Sequence, residues 1–312
     1  MTQEEKKPDN QRSLNDRLMK ALKAVNTLSG RSLEEADLKK HRRTSEWAGR
    51  LAAPKGNIII QHFMTGDIPC EEVTPEFAHN PHYAILYVHG GGYISGGLGY
   101  SRILAAKMAV ATGFTTFSFE YRLAPEHPYP AQLTDAMSVW NYLTAERYRP
   151  DHILLAGDSA GGNMALCMVQ KMKTESRELP GNILLFSPWT DMTGTAASYE
   201  TNKETDPILT REYITDAAKA YIAGAGEPEE PRFSPLYGDF SDFPPVLIMA
   251  GKNEILLDDS IRLKERIESV GGKVRLDIEE KGWHVYQQMP IRIADRAMKR
   301  LSAYVSAQIY GQ

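Results

Sequence analysis

The sequence predicts an α/β fold: a mostly parallel sheet with helices on both faces and a helical cap over one edge. Three observations carry this. Short apolar runs alternate with helical patterns from His82 onward, and such a βαβα succession builds parallel sheets. Most of the runs are apolar, as expected of strands covered on both faces. One long polar stretch, Pro188 to Asp242, breaks the rhythm. An insertion of that kind can close over the carboxyl ends of the strands, where such sheets bind ligands.

Each element has its own signal. From Ser13 to about Leu51, apolar residues recur at helical spacing (Leu14, Leu18, Leu22, Val25), with Ser13 and Ser32 as N-cap candidates. Two or three helices are expected there. "NIIIQHFM" is β-like, and "TGDIPC" turns the chain into a second short strand, which makes a hairpin. Then come a strand in "HYAILYVH", a helix over 100–112, a strand in "FTTFSFE" and a helix over 130–147. "HILLAG" is a strand followed by a helix over 159–175, and "NILLFS" is a strand leading into the insertion. The insertion carries one helical piece near 211–223. "PPVLIMAG" and "KVRLDIE" are the last strands, followed by helices over 257–270 and 291–309. The expected organisation is a helical cap segment over 1–55 and a catalytic domain over 56–312, with 188–242 adding to the cap.

The bulk numbers exclude several partners. A net charge of −4 is spread along 312 residues without a basic block, so nucleic acid is a poor partner. The two cysteines, Cys70 and Cys167, have neither metal-ligand spacing nor a disulfide framework. No window approaches a membrane-spanning helix. The N-terminus lacks the apolar stretch of a signal peptide, so the expected location is cytoplasmic.

The chemistry is carried by "GDSAG", a G-x-S-x-G sequence between a predicted strand and a predicted helix. That context makes Ser159 a candidate nucleophile on a sharp turn, with glycines where side chains would clash. The pentapeptide alone is weak. "HGGG" at His89–Gly92 follows the first strong parallel strand, as an oxyanion loop does. A phosphate loop is a poor alternative, because no G-K-[ST] follows. A serine nucleophile needs a base. Of eight histidines, His284 in "KGWHVY" lies after the last strand, where this fold delivers one. The others read as structural or misplaced. The acid belongs after "PPVLIMAG", and Glu254, Asp258 and Asp259 are the candidates. Glu254 is preferred because it stands just past the strand end, whereas the two aspartates open the next helix. Met192, Tyr199, Ile208, Leu209 and Tyr213 in the insertion could line a pocket, or simply pack the cap on the core.

Together "HGGGY", "YRLAPEHPYPA", "GDSAGG", "SPWTD", "PPVLIMAG" with "EILLDDS", and "WHVY" resemble the hormone-sensitive-lipase family of α/β-hydrolases, in its bacterial esterase branch. The resemblance runs from about Ile58 to the C-terminus. It implies hydrolysis of carboxylic esters with short to medium acyl chains, without a metal or organic cofactor. It implies Ser159 as nucleophile, His284 as base, and Gly91, Gly92 and Ala160 as oxyanion-hole amides. Many members carry Asp in a D-x-L-x-D pattern where this chain has Glu254, and Glu is a variant at that position. Asp158 and "YRLAPE" are implied structural supports. Dimers are common in the family, often through the edge strand, here "KVRLDIE". Lactone, acetylated-sugar or amide hydrolysis, acyl transfer, and a non-catalytic receptor on the same fold are the alternatives.

Overall fold

The computed structural model describes residues 35–53 and 56–311. Eight strands form one sheet in the order β1-β2-β4-β3-β5-β6-β7-β8. They are β1 (Ile58–Thr65), β2 (Ile68–Pro75), β3 (Ala84–Val88), β4 (Thr115–Phe119), β5 (Ile153–Asp158), β6 (Asn182–Phe186), β7 (Val246–Gly251) and β8 (Val274–Glu279). The pairs β1–β2 and β2–β4 are antiparallel, and the remaining pairs are parallel. The predicted hairpin is therefore present at one edge. Its second strand is as long as the first, 8 residues each, because every residue of β2 pairs with one of β1.

The helices are α1 (Glu35–Ala52), α2 (Leu98–Thr112), α3 (Ala131–Glu146), α4 (Ala160–Thr174), α5 (Ser198–Thr201), α6 (Arg211–Ile222), α7 (Leu257–Ser269) and α8 (Arg292–Tyr310). The expected helices before α1, with Ser13, Leu14, Leu18, Leu22, Val25 and Ser32, lie outside the described residues. The insertion holds α5 and α6. Thr210 caps α6 by accepting the Tyr213 N–H at 3.2 Å, satisfying one of the free first-turn donors.

Period-two alternation divides the central strands between two apolar layers. On β3, Leu86 and Val88 pack into one layer with Trp140, Met164 and Ile248. Ile85 and Tyr87 point into the other, with Met108, Phe114 and Leu301. Every residue of β3, β5, β6 and β7 is buried, which accounts for their uninterrupted apolar character. Because β3, β5, β7 and β8 are parallel, the segments that follow them emerge along one edge of the sheet. Those segments carry His89–Gly92, Ser159, Glu254 and His284.

α1 lies against the start of α2. The Glu46 carboxylate accepts the N–H groups of Gly99 (2.7 Å) and Tyr100 (3.1 Å), an anion at a helix N-terminus. A Cβ at Gly49 would collide with the Gly99 carbonyl, so glycine permits the close crossing. Arg42 donates to the carbonyls of Ile94 (2.7 Å) and Ala124 (2.8 Å) and forks onto Glu126. Among the described residues, no helix is long and apolar enough to cross a membrane.

Candidate active site

Ser159 stands on the turn between β5 and α4 with φ 53° and ψ −121°. A non-glycine residue there stores strain of about 1–3 kcal/mol. The backbone on both sides is pinned: the Ser159 N–H donates to Phe186 O at 3.0 Å, and its carbonyl accepts from Trp189 N at 3.0 Å. The flanking glycines are sterically required. A Cβ on Gly157 would strike Gly161, and one on Gly161 would strike the carbonyls of Val88 and His89.

His284 reaches this serine from the loop after β8. Its Nε2 lies 3.0 Å from Ser159 Oγ, and both residues are more than 90% buried. On the other side of the ring, Glu254 Oε2 is 3.3 Å from Nδ1. That contact is too oblique to count as a hydrogen bond, and among the described residues neither atom has a hydrogen-bond partner. Catalytic hydrogen bonds are commonly misaligned until substrate is bound. Glu254 Oε1 accepts the Gly251 N–H at 3.2 Å. The two loops are tied by the Asn253 N–H, which donates to Gly282 O at 3.0 Å.

The other acid candidates point elsewhere. Asp258 accepts the Ser198 N–H at 2.8 Å. Asp259 is buried and accepts from Thr190 N (2.7 Å) and Asp191 N (3.0 Å). Burial lifts its carboxyl to about 8.

The glycine loop faces the serine. Gly91 and Gly92 have φ of 107° and 64°, and both line the cavity above Ser159. Among the described residues, the N–H groups of Gly91, Gly92 and Ala160 donate to no protein acceptor. Asp158 fixes this loop. It is fully buried and accepts Gly90 N–H (2.7 Å), Tyr87 O–H (2.6 Å) and Tyr100 O–H (2.7 Å). Burial pushes its carboxyl up, while these three donors pull it down. From "YRLAPE", Tyr121 donates to His89 O at 2.9 Å and stacks on the His89 ring. Burial lowers that imidazole to about 4, so it is neutral and structural.

The cavity measures about 210 Å³. Trp189, Ile208, Leu209, Ile214, Ala217 and Leu256 give it an apolar wall, and His41 and Ser45 of α1 also reach it. Of the five insertion residues singled out above, Ile208, Leu209 and Tyr213 line it. Tyr199 is packed into the core at 1% exposure, and Met192 borders a separate surface groove. Spacing alone could not separate them, because the insertion has no regular period.

Sequence reasoning passed over two charged residues. Lys107 Nζ donates to the carbonyls of Gln287 and Met289, both at 2.7 Å, and so grips the segment just after His284. Asp206 accepts three backbone N–H groups around the cavity. Lys107 sits within the apolar helix α2 and Asp206 in the polar insertion, neither in a motif, so no local signal marked them.

Residues 85–288 match the family described as alpha/beta hydrolase fold. An esterase of Acinetobacter venetianus is 34% identical over 65% of this chain and 67% of its own length. An acetyl-hydrolase of Streptomyces hygroscopicus is 32% identical over 78% and 79% respectively. A crystal structure of an esterase from the bacterial hormone-sensitive lipase family superposes with a TM-score of 0.86 at 29% identity, covering 98% of this chain and 100% of that one.

The chain belongs to the hormone-sensitive-lipase family of α/β-hydrolases.

Another solved structure, EstE5, was soaked with p-nitrophenyl butyrate. It has a TM-score of 0.86 and 30% identity, covering 94% of this chain and 98% of its own. Within the hormone-sensitive-lipase family this chain carries a glutamate, Glu254, beside the histidine. The carboxylate is reached from the tight turn between β7 and α7, where its Oε1 is anchored on Gly251.

Proposed function

We propose that this protein is a serine carboxylesterase that cleaves short- to medium-chain acyl esters through Ser159, His284 and Glu254. The observation that carries this reading is the 3.0 Å approach of His284 Nε2 to Ser159 Oγ, beneath three uncommitted N–H groups. Its relatives place the chain among carboxylic ester hydrolases.

In the first step His284 takes the Ser159 proton as Oγ attacks the ester carbonyl. Glu254, fully buried behind the ring, stabilises the imidazolium and holds the tautomer. The amides of Gly91, Gly92 and Ala160 receive the oxyanion, and a single such donor is worth about 10²–10³ in rate. The Ala160 N–H opens α4, whose dipole favours the same charge. The alcohol departs with the proton from His284. Water then repeats the sequence on the acyl-enzyme and releases the acid.

The small, apolar-walled cavity supports a short acyl chain, and the butyrate ester applied to EstE5 is of that size. α1 and the 188–242 insertion act as the cap, since both contribute to the cavity wall. A second reading, removal of an acetyl group from a larger alcohol, is favoured by the acetyl-hydrolase relative. β8 at the sheet edge is where a second copy would pair, which light scattering would detect.

The test is a panel of p-nitrophenyl esters from acetate to decanoate, with fluorophosphonate labelling of Ser159. Turnover falling off beyond the medium chains supports the reading. An unlabelled serine with no turnover on any ester rejects it.

A further inference from the structure

Asp206 joins two parts of the site that the mechanism treats separately. One oxygen, Oδ1, accepts the N–H groups of Ile208 (2.8 Å) and Leu209 (3.0 Å), both cavity-wall residues. Taken alone this is a local turn, of the kind aspartate makes two and three residues ahead of itself. The other oxygen, Oδ2, accepts the N–H of Ile255 at 2.9 Å, 49 residues away. Ile255 directly follows Glu254. Asn202, four residues before Asp206, strengthens the junction by donating to the carbonyls of Lys252 (3.0 Å) and Glu254 (2.8 Å).

We propose that Asp206 is a positioning residue for the esterase reaction, setting the cavity wall and the Glu254 loop in register. This rests on the serine-esterase reading above.

The electrostatics agree. Asp206 is 3% exposed. Burial raises its carboxyl to about 6, while His284 and the three N–H groups act to lower it. Among the described residues, acids interacting with His284 come from Glu254 after β7, Asp206 in the insertion and Asp158 at the end of β5. Near neutrality Asp206 is mostly ionised, so its charge favours the imidazolium that forms as Ser159 attacks.

The test is Asp206→Asn in the full chain, with p-nitrophenyl butyrate as substrate. The amide keeps the volume and one acceptor for the local turn, but loses the charge and turns an N–H toward Ile255. The expected result is a fall in kcat of about tenfold. The acid limb of kcat/KM should also move to lower pH, because His284 loses a stabilising anion. A turn-only role would leave that limb unmoved. Wild-type kcat with an unmoved limb, in a variant with a native circular dichroism spectrum, overturns the proposal. If Asp206→Asn does not fold, Asp206→Ser, whose hydroxyl can still take one turn N–H, is measured in the same way. Failure of both to fold assigns Asp206 to folding and also overturns it. Wild-type turnover and fluorophosphonate labelling are measured alongside. If the wild type is itself inert, the esterase reading has failed rather than this one.

Discussion

Ser159 Oγ and His284 Nε2 stand 3.0 Å apart across 125 residues of sequence. The serine backbone is locked in its strained turn and the histidine ring is wedged beside Glu254, so the pair is organised before any substrate arrives. Ser159→Ala removes the proposed nucleophile without disturbing the packing. Its kcat is expected to fall on the order of 10⁵–10⁶-fold, with an unchanged melting temperature and no fluorophosphonate labelling.

Glu254 and Asp258 separate cleanly. Glu254 faces the ring nitrogen, whereas Asp258 caps α5 through Ser198 N–H. Glu254→Gln should lower kcat by about 10³–10⁴, as a lost triad carboxylate does. Asp258→Asn should change kcat only a few-fold. Steady-state kinetics of both variants decide the acid, and the reverse ranking would transfer the role to Asp258.

Asp158 holds the glycine loop by three donors at once. An asparagine presents one oxygen and one NH2 group to them, leaving at least one donor unmatched. Asp158→Asn should cost about 1–3 kcal/mol of stability. It should also lower kcat by about ten- to a hundredfold through a displaced oxyanion loop. KM should change less than kcat, because the apolar wall formed by Ile208, Leu209 and Ile214 makes no hydrogen bond to Asp158. Denaturant titration and the kcat–KM split measure the two effects.

Lys107 supplies a pH signature. Burial lowers its ammonium from 10.5 to about 8, with Asp295 opposing. Between those values the folded chain has released a proton that the unfolded chain still holds. Unfolding therefore takes up a proton, and stability rises with pH across that window. Below about 8 the buried charge is a constant cost. Lys107→Met has no such group. The wild-type unfolding free energy minus that of the variant should therefore grow from pH 8 toward 10.5. A flat difference in urea titrations would show that Lys107 titrates normally.

Gly49 controls how closely α1 can sit. A valine there would drive its side chain into the Gly99 carbonyl and lift His41 and Ser45 away from the cavity. Gly49→Val should raise KM several-fold for the longer esters and expose α1 to limited proteolysis. kcat on the acetate ester should be nearly unchanged, because the Ser159–His284 pair belongs to the sheet.

Much of this was legible because it is local. Gly157 and Gly161 flank Ser159 for steric reasons that five residues are enough to encode. The apolar runs of β3, β5, β6 and β7 announce burial on both faces. The position of His284 follows from chain order, since the last parallel strand must deliver its loop to the same edge as the first. The insertion was harder. Tyr199 and Tyr213 look equivalent in sequence, yet Tyr199 is packed in the core and Tyr213 lines the cavity, because only the folded path of α5 and α6 distinguishes them.

The sequence by itself determined the sheet, the strained serine turn, the glycine loop and the histidine, since each depends on short-range sterics or on the order of elements. The tertiary structure alone decided which acid faces His284 Nδ1, how α1 seats on α2 through Gly49, and that Asp206 and Lys107 grip the site from outside any motif. Those contacts join segments far apart in the chain. Their distances are set by how whole layers pack, which no local pattern records.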